Sequence, residues 1–360
     1  MNKIKENKQP LPWHGVSKLE IKLRQISHGA NIFANGRHRV VVDVYIQGTD
    51  AKGDKILVPR DVLFLHTVLI DYNTGEPLTW QAGINDDFTW SYTDEPNEFT
   101  IKQELSSTNN NVEEYDSYNL SMVSFYIYCS PETANGFKQV AALVTAPDGN
   151  EYSSAYGKDY DSFIQLNSIS EINYKYEELG IEKDSRPIAE HIAVTHNGSD
   201  IGWEQYNTYV TLKPNYLYDK DGKRYILKYD CFFRQTNEPA PVDTVHQLLH
   251  DAYSSIYLTF YYAHFLWSMG EKKTVSVGQT NWFGLHIDQD IHIEIRQKSN
   301  AICFTVISTS HYHHPIVQED LLDLYIILYD QYGNTGAFSI ESNYKNDFEK
   351  YEIHLKNYNP

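Results

Sequence analysis

The sequence predicts an all-β protein built as two tandem antiparallel β-sandwich domains of immunoglobulin-like kind, related by internal duplication. Three observations carry that expectation. Apolar and polar residues alternate with period two, as in Leu19, Ile21 and Leu23 against Lys18, Glu20 and Lys22. Turn-forming Gly, Asn and Asp separate these runs at short intervals. The same order of blocks also occurs twice. Residues 40–46, 51–54, 99–103, 123–127 and 141–144, closed by Asp148-Gly149-Asn150, are echoed by 209–212, 219–223, 293–297, 302–307 and 324–328, closed by Tyr332-Gly333-Asn334.

A chain of 360 residues suits two folding units of about 150 residues each. Residues 1–14, with lysines and prolines, read as a flexible N-terminal arm. The first sandwich spans 15–170 and opens with a strand over 16–23. Its hairpin signals are Asn35-Gly36, the 51–54 turn, Asn73-Thr74-Gly75, Asn135-Gly136 and Asp148-Gly149, where Gly supplies a positive φ. The polar run 106–117 reads as an exposed loop. Residues 171–190, rich in charge and carrying Gly180 and Pro187, read as a linker.

The second sandwich covers 191–360, with an insertion near 241–282. Within the insertion, Asp243 or Thr244 would cap a short helix. Residues 252–270 hold no Asp, Glu, Lys or Arg. That is about the length of a membrane-spanning helix, but the Tyr, Thr and Ser content favours one or two buried strands. Residues 285–294 read as a strand with a polar row of His286, Asp288, Asp290, His292 and Glu294.

Thirty basic against 48 acidic residues give a formal charge of -18, which argues against nucleic-acid or anionic-membrane partners. The three cysteines, Cys129, Cys231 and Cys303, sit in apolar stretches as buried free thiols, since an odd number makes no complete disulfide framework. The N-terminus lacks a signal-peptide core, so synthesis is expected in the cytoplasm, with any release by a non-classical route.

Chemistry is sparsely written. There is no Gly-rich phosphate loop, no Gly-x-Ser-x-Gly elbow and no paired CxxC, so no catalytic residue is assigned. Asp219-Lys220-Asp221-Gly222 starts like a calcium loop but lacks its terminal Glu, and a hairpin turn explains it better. Two histidine pairs are metal candidates. His246 and His250, four apart, would share one helix face and suit zinc if a third ligand approached. His311 and His313 would share one strand face, and in the 285–294 row Asp288 and Asp290 would favour calcium while the histidines favour zinc, so the mixture specifies neither and an exposed sheet face is the simpler account.

Tyrosine is abundant, with 29 copies beside 6 Trp, and aromatic rings with a polar handle suit contact surfaces as well as sheet faces. Trp80, Trp90, Trp267 and Trp282, expected near loops, are the candidate partner-binding residues, with a place in the core as the equal alternative.

Around Asn35-Gly36 and the alternation into Ala51-Lys52-Gly53, residues 34–58 resemble bacterial immunoglobulin-like repeats of the invasin and intimin kind. The resemblance implies a bacterial protein whose sandwiches act as spacers or adhesive modules, and it carries over no functional residue. The leading expectation is a non-enzymatic module that recognises a protein or carbohydrate partner through aromatic loops. The rivals are a self-assembling structural protein that pairs with copies of itself, a toxin component deploying 252–270, and a metal-dependent enzyme using the His-rich second half.

Overall fold

The computed structural model describes residues 13–24, 29–100, 120–184, 189–194, 200–214, 223–240, 249–254, 259–270, 273–277, 280–282, 285–287, 291–295, 298–311, 324–342 and 353–360. Only the backbone is described for 189–194, 200–203, 249–254, 259–264, 273–277, 280–282, 285–287, 291–295, 307–311 and 341–342. The chain is all-β and divides into two compact units, Met1–Glu171 with Tyr332–Asn334, and Ile172–Gln331 with Thr335–Pro360.

The first unit contains β1 (Gly15–Leu23), β2 (Gly29–Ala34), β3 (Val40–Thr49), β4 (Lys55–Ile56), helix α1 (Arg60–His66), β5 (Thr67–Asp71), β6 (Thr79–Trp80), β7 (Trp90–Thr93), β8 (Ser121–Cys129), β9 (Phe137–Thr145), β10 (Glu151–Ser153) and β11 (Ile164–Ser170). One sheet runs β1-β3-β8-β7-β6, with β4 on β3. The other runs β10-β9-β11-β2, with β5 on β9. Pairing is antiparallel apart from β6 with β7 and β11 with β2.

Alternation decides which residues face inward. Val42, Val44, Ile46, Val123, Phe125 and Ile127 from the first sheet and Leu69, Val140, Ala142, Val144, Ile164 and Leu166 from the second form one buried cluster. A side-chain period of two puts each set on one face, and joining the faces removes both from water. Strand β1 is the edge of its sheet, and side chains occupy its outward backbone groups. Ser162 Oγ accepts from the Ile21 N–H at 3.2 Å, and the Tyr160 hydroxyl donates to the Val16 carbonyl. Such caps leave fewer groups for another strand to pair with.

The second unit contains β12 (Leu179–Lys183), β13 (Ala189–Val194), β14 (Asp200–Leu212), β15 (Ile226–Phe233), β16 (Leu249–Ser254), β17 (Thr259–Trp267), β18 (Lys273–Val277), β19 (Thr280–Trp282), β20 (Leu285–Ile287), β21 (Ile291–Ile295), β22 (Ile302–His311), β23 (Leu324–Asp330), β24 (Thr335–Ser342) and β25 (Ile353–Asn357). Its larger sheet runs β12-β14-β22-β17-β16, with β13 on β14, and a second runs β15-β23-β24-β25. The Tyr229 hydroxyl on β15 donates to the Trp267 carbonyl on β17 at 2.7 Å, linking the two sheets.

Several expectations are corrected. The 171–190 segment is not a bare linker, because β12 lies inside it and pairs with β14. Leu179 is buried, and strand pairing there prevails over the charged composition. Residues 252–270 enter strands β16 and β17, in keeping with the buried-strand expectation, and Phe265, Leu266 and Trp267 are buried. Among the described residues no helix is long and apolar enough to cross a membrane.

His250 lies in β16, a strand, where the helix-face argument for His246 and His250 does not apply. Residues 285–294 are not one strand either: β20 pairs with β19 and β21 with β18, in separate sheets. Phe99 and Thr100 lie outside any strand, with Thr100 in a lone bridge to Arg39. The 1–12, 101–119, 219–222, 241–248 and 288–290 stretches of these expectations lie outside the described residues.

Candidate functional site

The tryptophans separate into different roles. Trp267 is fully buried, stacked on Phe265 at 5.5 Å between centroids, and its Nε1 donates to Thr305 Oγ1 at 2.8 Å. Thr305 Oγ1 in turn donates to Asn207 Oδ1 at 2.7 Å, so the indole is fixed by a buried polar chain. Trp90 is 7% exposed and belongs to the first unit's core. Trp267 and Trp90 are therefore core residues, the alternative to a partner-binding role. The backbone of Trp282 lies in β19, and its side chain falls outside the described part of the structure.

Trp80 is different, with 42% of its surface exposed. Its neighbours hold it in place. The ring meets Tyr92 edge-on at 4.9 Å and Phe64 at 5.9 Å, and Phe64 stacks on the buried Phe125 at 5.6 Å. Tyr92 also meets Phe125, at 5.4 Å, closing a four-ring cluster of which Trp80 is the most exposed member. Burial pushes the Tyr92 phenol above its ordinary pKa.

The local sequence explains this construction. Pro59 precedes α1 with φ fixed at -56°, and Asp61 in the first turn suits the positive end of the helix. Leu63 turns into the core, which carries Phe64 across to the rings and leaves Leu65 outside. The helix stops at Thr67, whose Oγ1 donates to the Leu63 carbonyl at 2.6 Å. On the far side, the register of β6 with β7 places Trp80 opposite Tyr92.

Beside this cluster lies an open notch of about 620 Å³ lined by Arg60, Asp61, Phe64, Leu65, Asp94 and Ser124. That volume falls within the range of small-ligand sites. One lining residue is anchored from the outer face of the sheet. Ser124 Oγ donates to Asp43 Oδ1 at 2.7 Å and accepts from Arg24 Nη2 at 2.8 Å. Arg24 also grips Asp43 with two nitrogens, at 2.7 and 3.0 Å, and this hydrogen bonding raises the guanidinium pKa. Asp94 Oδ1 accepts from Gln81 Nε2 at 3.2 Å, tying the notch to the residue after Trp80.

Of the four metal candidates, His250 and His311 lie among the described residues. Through β17, His250 is level with Ile307 and His311 with Ser254, four residues further along the sheet and two strands away. At about 3.3 Å per residue and 4.8 Å per strand their backbones lie about 16 Å apart, so the two cannot ligate one ion. His246 and His313 are outside the described residues. Among the described residues no group of three His, Cys, Asp or Glu side chains stands close enough to hold a metal.

Sequence reasoning named Trp80 but missed Phe64, Arg60, Asp61 and Asp94. The available signal was Pro59 followed by Asp61 and Leu63, a helix start hidden by its length of seven residues.

No family model and no curated protein matches the chain. Among solved structures it is similar to the C-terminal domain of the antigen I/II polypeptide BspA of Streptococcus agalactiae, at 12% identity over 89% of this chain and 97% of that one, with a TM-score of 0.23. It is also similar to the C-terminal domain of AspA, an antigen I/II-family protein of Streptococcus pyogenes, at 8% identity over 88% and 96%, with a TM-score of 0.23. Neither is named as an invasin or intimin. A likeness at these scores assigns no function to this chain.

Proposed function

We propose that this protein is a non-enzymatic binding module whose first unit presents Trp80 and the adjoining notch to a partner. The observation that carries the reading is the combination of exposure and rigidity at Trp80. A large ring already held by Tyr92 and Phe64 loses little freedom on binding, so the apolar area it buries counts toward affinity. The notch supplies polar groups of both signs beside the ring, which is the usual composition of a recognition site.

The two units are read as related copies. The strand order β1-β3-β8-β7-β6 matches β12-β14-β22-β17-β16, except that the last pair is parallel in the first unit and antiparallel in the second, and β5-β9-β10 matches β15-β23-β24. A shared turn supports this. The Asp71 N–H donates to the Glu76 carbonyl and the Phe233 N–H to the Glu238 carbonyl, each before a proline in a lone bridge, Pro77 with Ile70 and Pro239 with Phe232. Duplication would free one unit to serve as spacer while the other binds.

The test compares immobilised wild-type chain with Trp80→Ala for retention of glycans and of surface proteins, with thermal melting run in parallel. The reading expects Trp80→Ala to melt normally and lose the retained partner. Equal retention by both proteins would retire Trp80 as the contact.

A further inference from the structure

We infer that the notch beside Trp80 is a subsite for an uncharged oligosaccharide, an assignment that rests on the binding-module reading and narrows it to one ligand class. The lining combines three features. Phe64 and the adjacent Trp80 offer ring surface against which the C–H face of a sugar ring packs. Asp61 and Asp94 supply carboxylate acceptors, and Arg60 supplies a forked donor, the charge-assisted partners that suit neighbouring hydroxyls. Ser124 is locked by Asp43 and Arg24 on the outer face of the sheet, which fixes β8 where it borders the notch.

Other ligand classes fit less well. Phosphates and acidic sugars face two carboxylates against one guanidinium, on a chain of net charge -18. A cation would meet Arg60 among the lining residues. A neutral polyhydroxyl ligand uses the rings, both carboxylates and the guanidinium together, without charge conflict.

The experiment titrates the full chain with hexasaccharides of glucose in α-1,4 and β-1,4 linkage, of N-acetylglucosamine, of mannose and of xylose, following tryptophan fluorescence and heat. Heparin and a sialylated oligosaccharide serve as acidic comparisons. The expected result is saturable binding of at least one neutral hexasaccharide, weakened by about tenfold or more in Asp94→Asn, as for loss of a charge-assisted hydrogen bond, and in Trp80→Ala. Thermal melts of both variants confirm folding, and Asp61→Asn provides an independent variant on the exposed helix.

Absence of binding across the neutral panel, preference for the acidic sugars, or binding indifferent to Asp94→Asn and Asp61→Asn would overturn the assignment. If the panel fails while Trp80→Ala still abolishes capture of a protein partner, the binding-module reading stands and the saccharide assignment alone falls.

Discussion

Trp267 and Trp80 show at the residue scale how one amino acid serves opposite ends. Truncating Trp267 to Ala leaves a cavity beside Phe265 and strips Thr305 of its donor partner, so denaturant unfolding should show a loss of about 3–5 kcal/mol. Trp80→Ala should cost less than about 1 kcal/mol, because much of its ring is already in water. The cysteines give a second residue-level expectation. Burial pushes the thiol of Cys129 up to about 11 and those of Cys231 and Cys303 to about 12. Folded protein should therefore leave an aromatic disulfide reagent unreacted at neutral pH, and denatured protein should titrate three thiols.

Asp71 supplies the pH dependence. Partial burial raises its pKa, but Lys138 at 2.5 Å and the N–H groups of Thr74 and Asn73 outweigh that and hold it below the usual carboxylate range. A carboxylate depressed in the folded state stabilises the fold above its unfolded pKa, and that contribution fades as pH falls through the folded value. Asp71→Asn should thus be less stable than wild type at pH 7, with the gap narrowing in acid, as pH falls below the ordinary carboxylate value of about 4. Urea melts at the two pH values decide it, and a gap unchanged by pH would remove the assignment.

At the scale of elements, the edge of β1 and the hairpin turns are the informative parts. Tyr160 and Ser162 satisfy outward groups of β1 at Val16 and Ile21. The Tyr160→Phe, Ser162→Ala double variant should lose about 1–3 kcal/mol and scatter more light on concentration, since exposed edge groups invite pairing. At Gly75, φ is +76° and a Cβ would meet nothing within 4 Å. Gly75→Ala should therefore cost about 1 kcal/mol from backbone conformation alone.

These elements also show what was legible beforehand. The β1 pattern was plain, because a half-buried strand must alternate. Helix α1 was not, because seven residues hold too little periodicity to stand out from a strand-rich background. Residues 285–294 looked like a single polar-faced strand, yet they divide into β20 and β21 with different partners. Alternation specifies a strand's faces, and it says nothing of where pairing changes hands.

For the whole molecule, the surplus of acidic residues and the capped edge of β1 argue for a chain that stays apart from its copies. Light scattering after size exclusion should give about 41.7 kDa at every concentration. Growth of mass with concentration would favour the self-assembling reading, by way of an edge other than β1. The duplication reading belongs to this scale too, because the order of strands repeats even though few residues do.

The amino-acid sequence by itself determined the class of fold, since period-two alternation punctuated by turn residues admits only sheets with one buried face. It also determined the acidic surface and the positions of the thiols in apolar surroundings. Only the tertiary structure decided that Trp80 meets water while Trp90 and Trp267 do not, that His250 and His311 stand apart, and that Arg60, Asp61, Phe64 and Asp94 share a notch with Ser124. Those facts depend on which strands become neighbours and on what packs over each face. Such pairings join residues far apart in the chain and leave no local pattern to read.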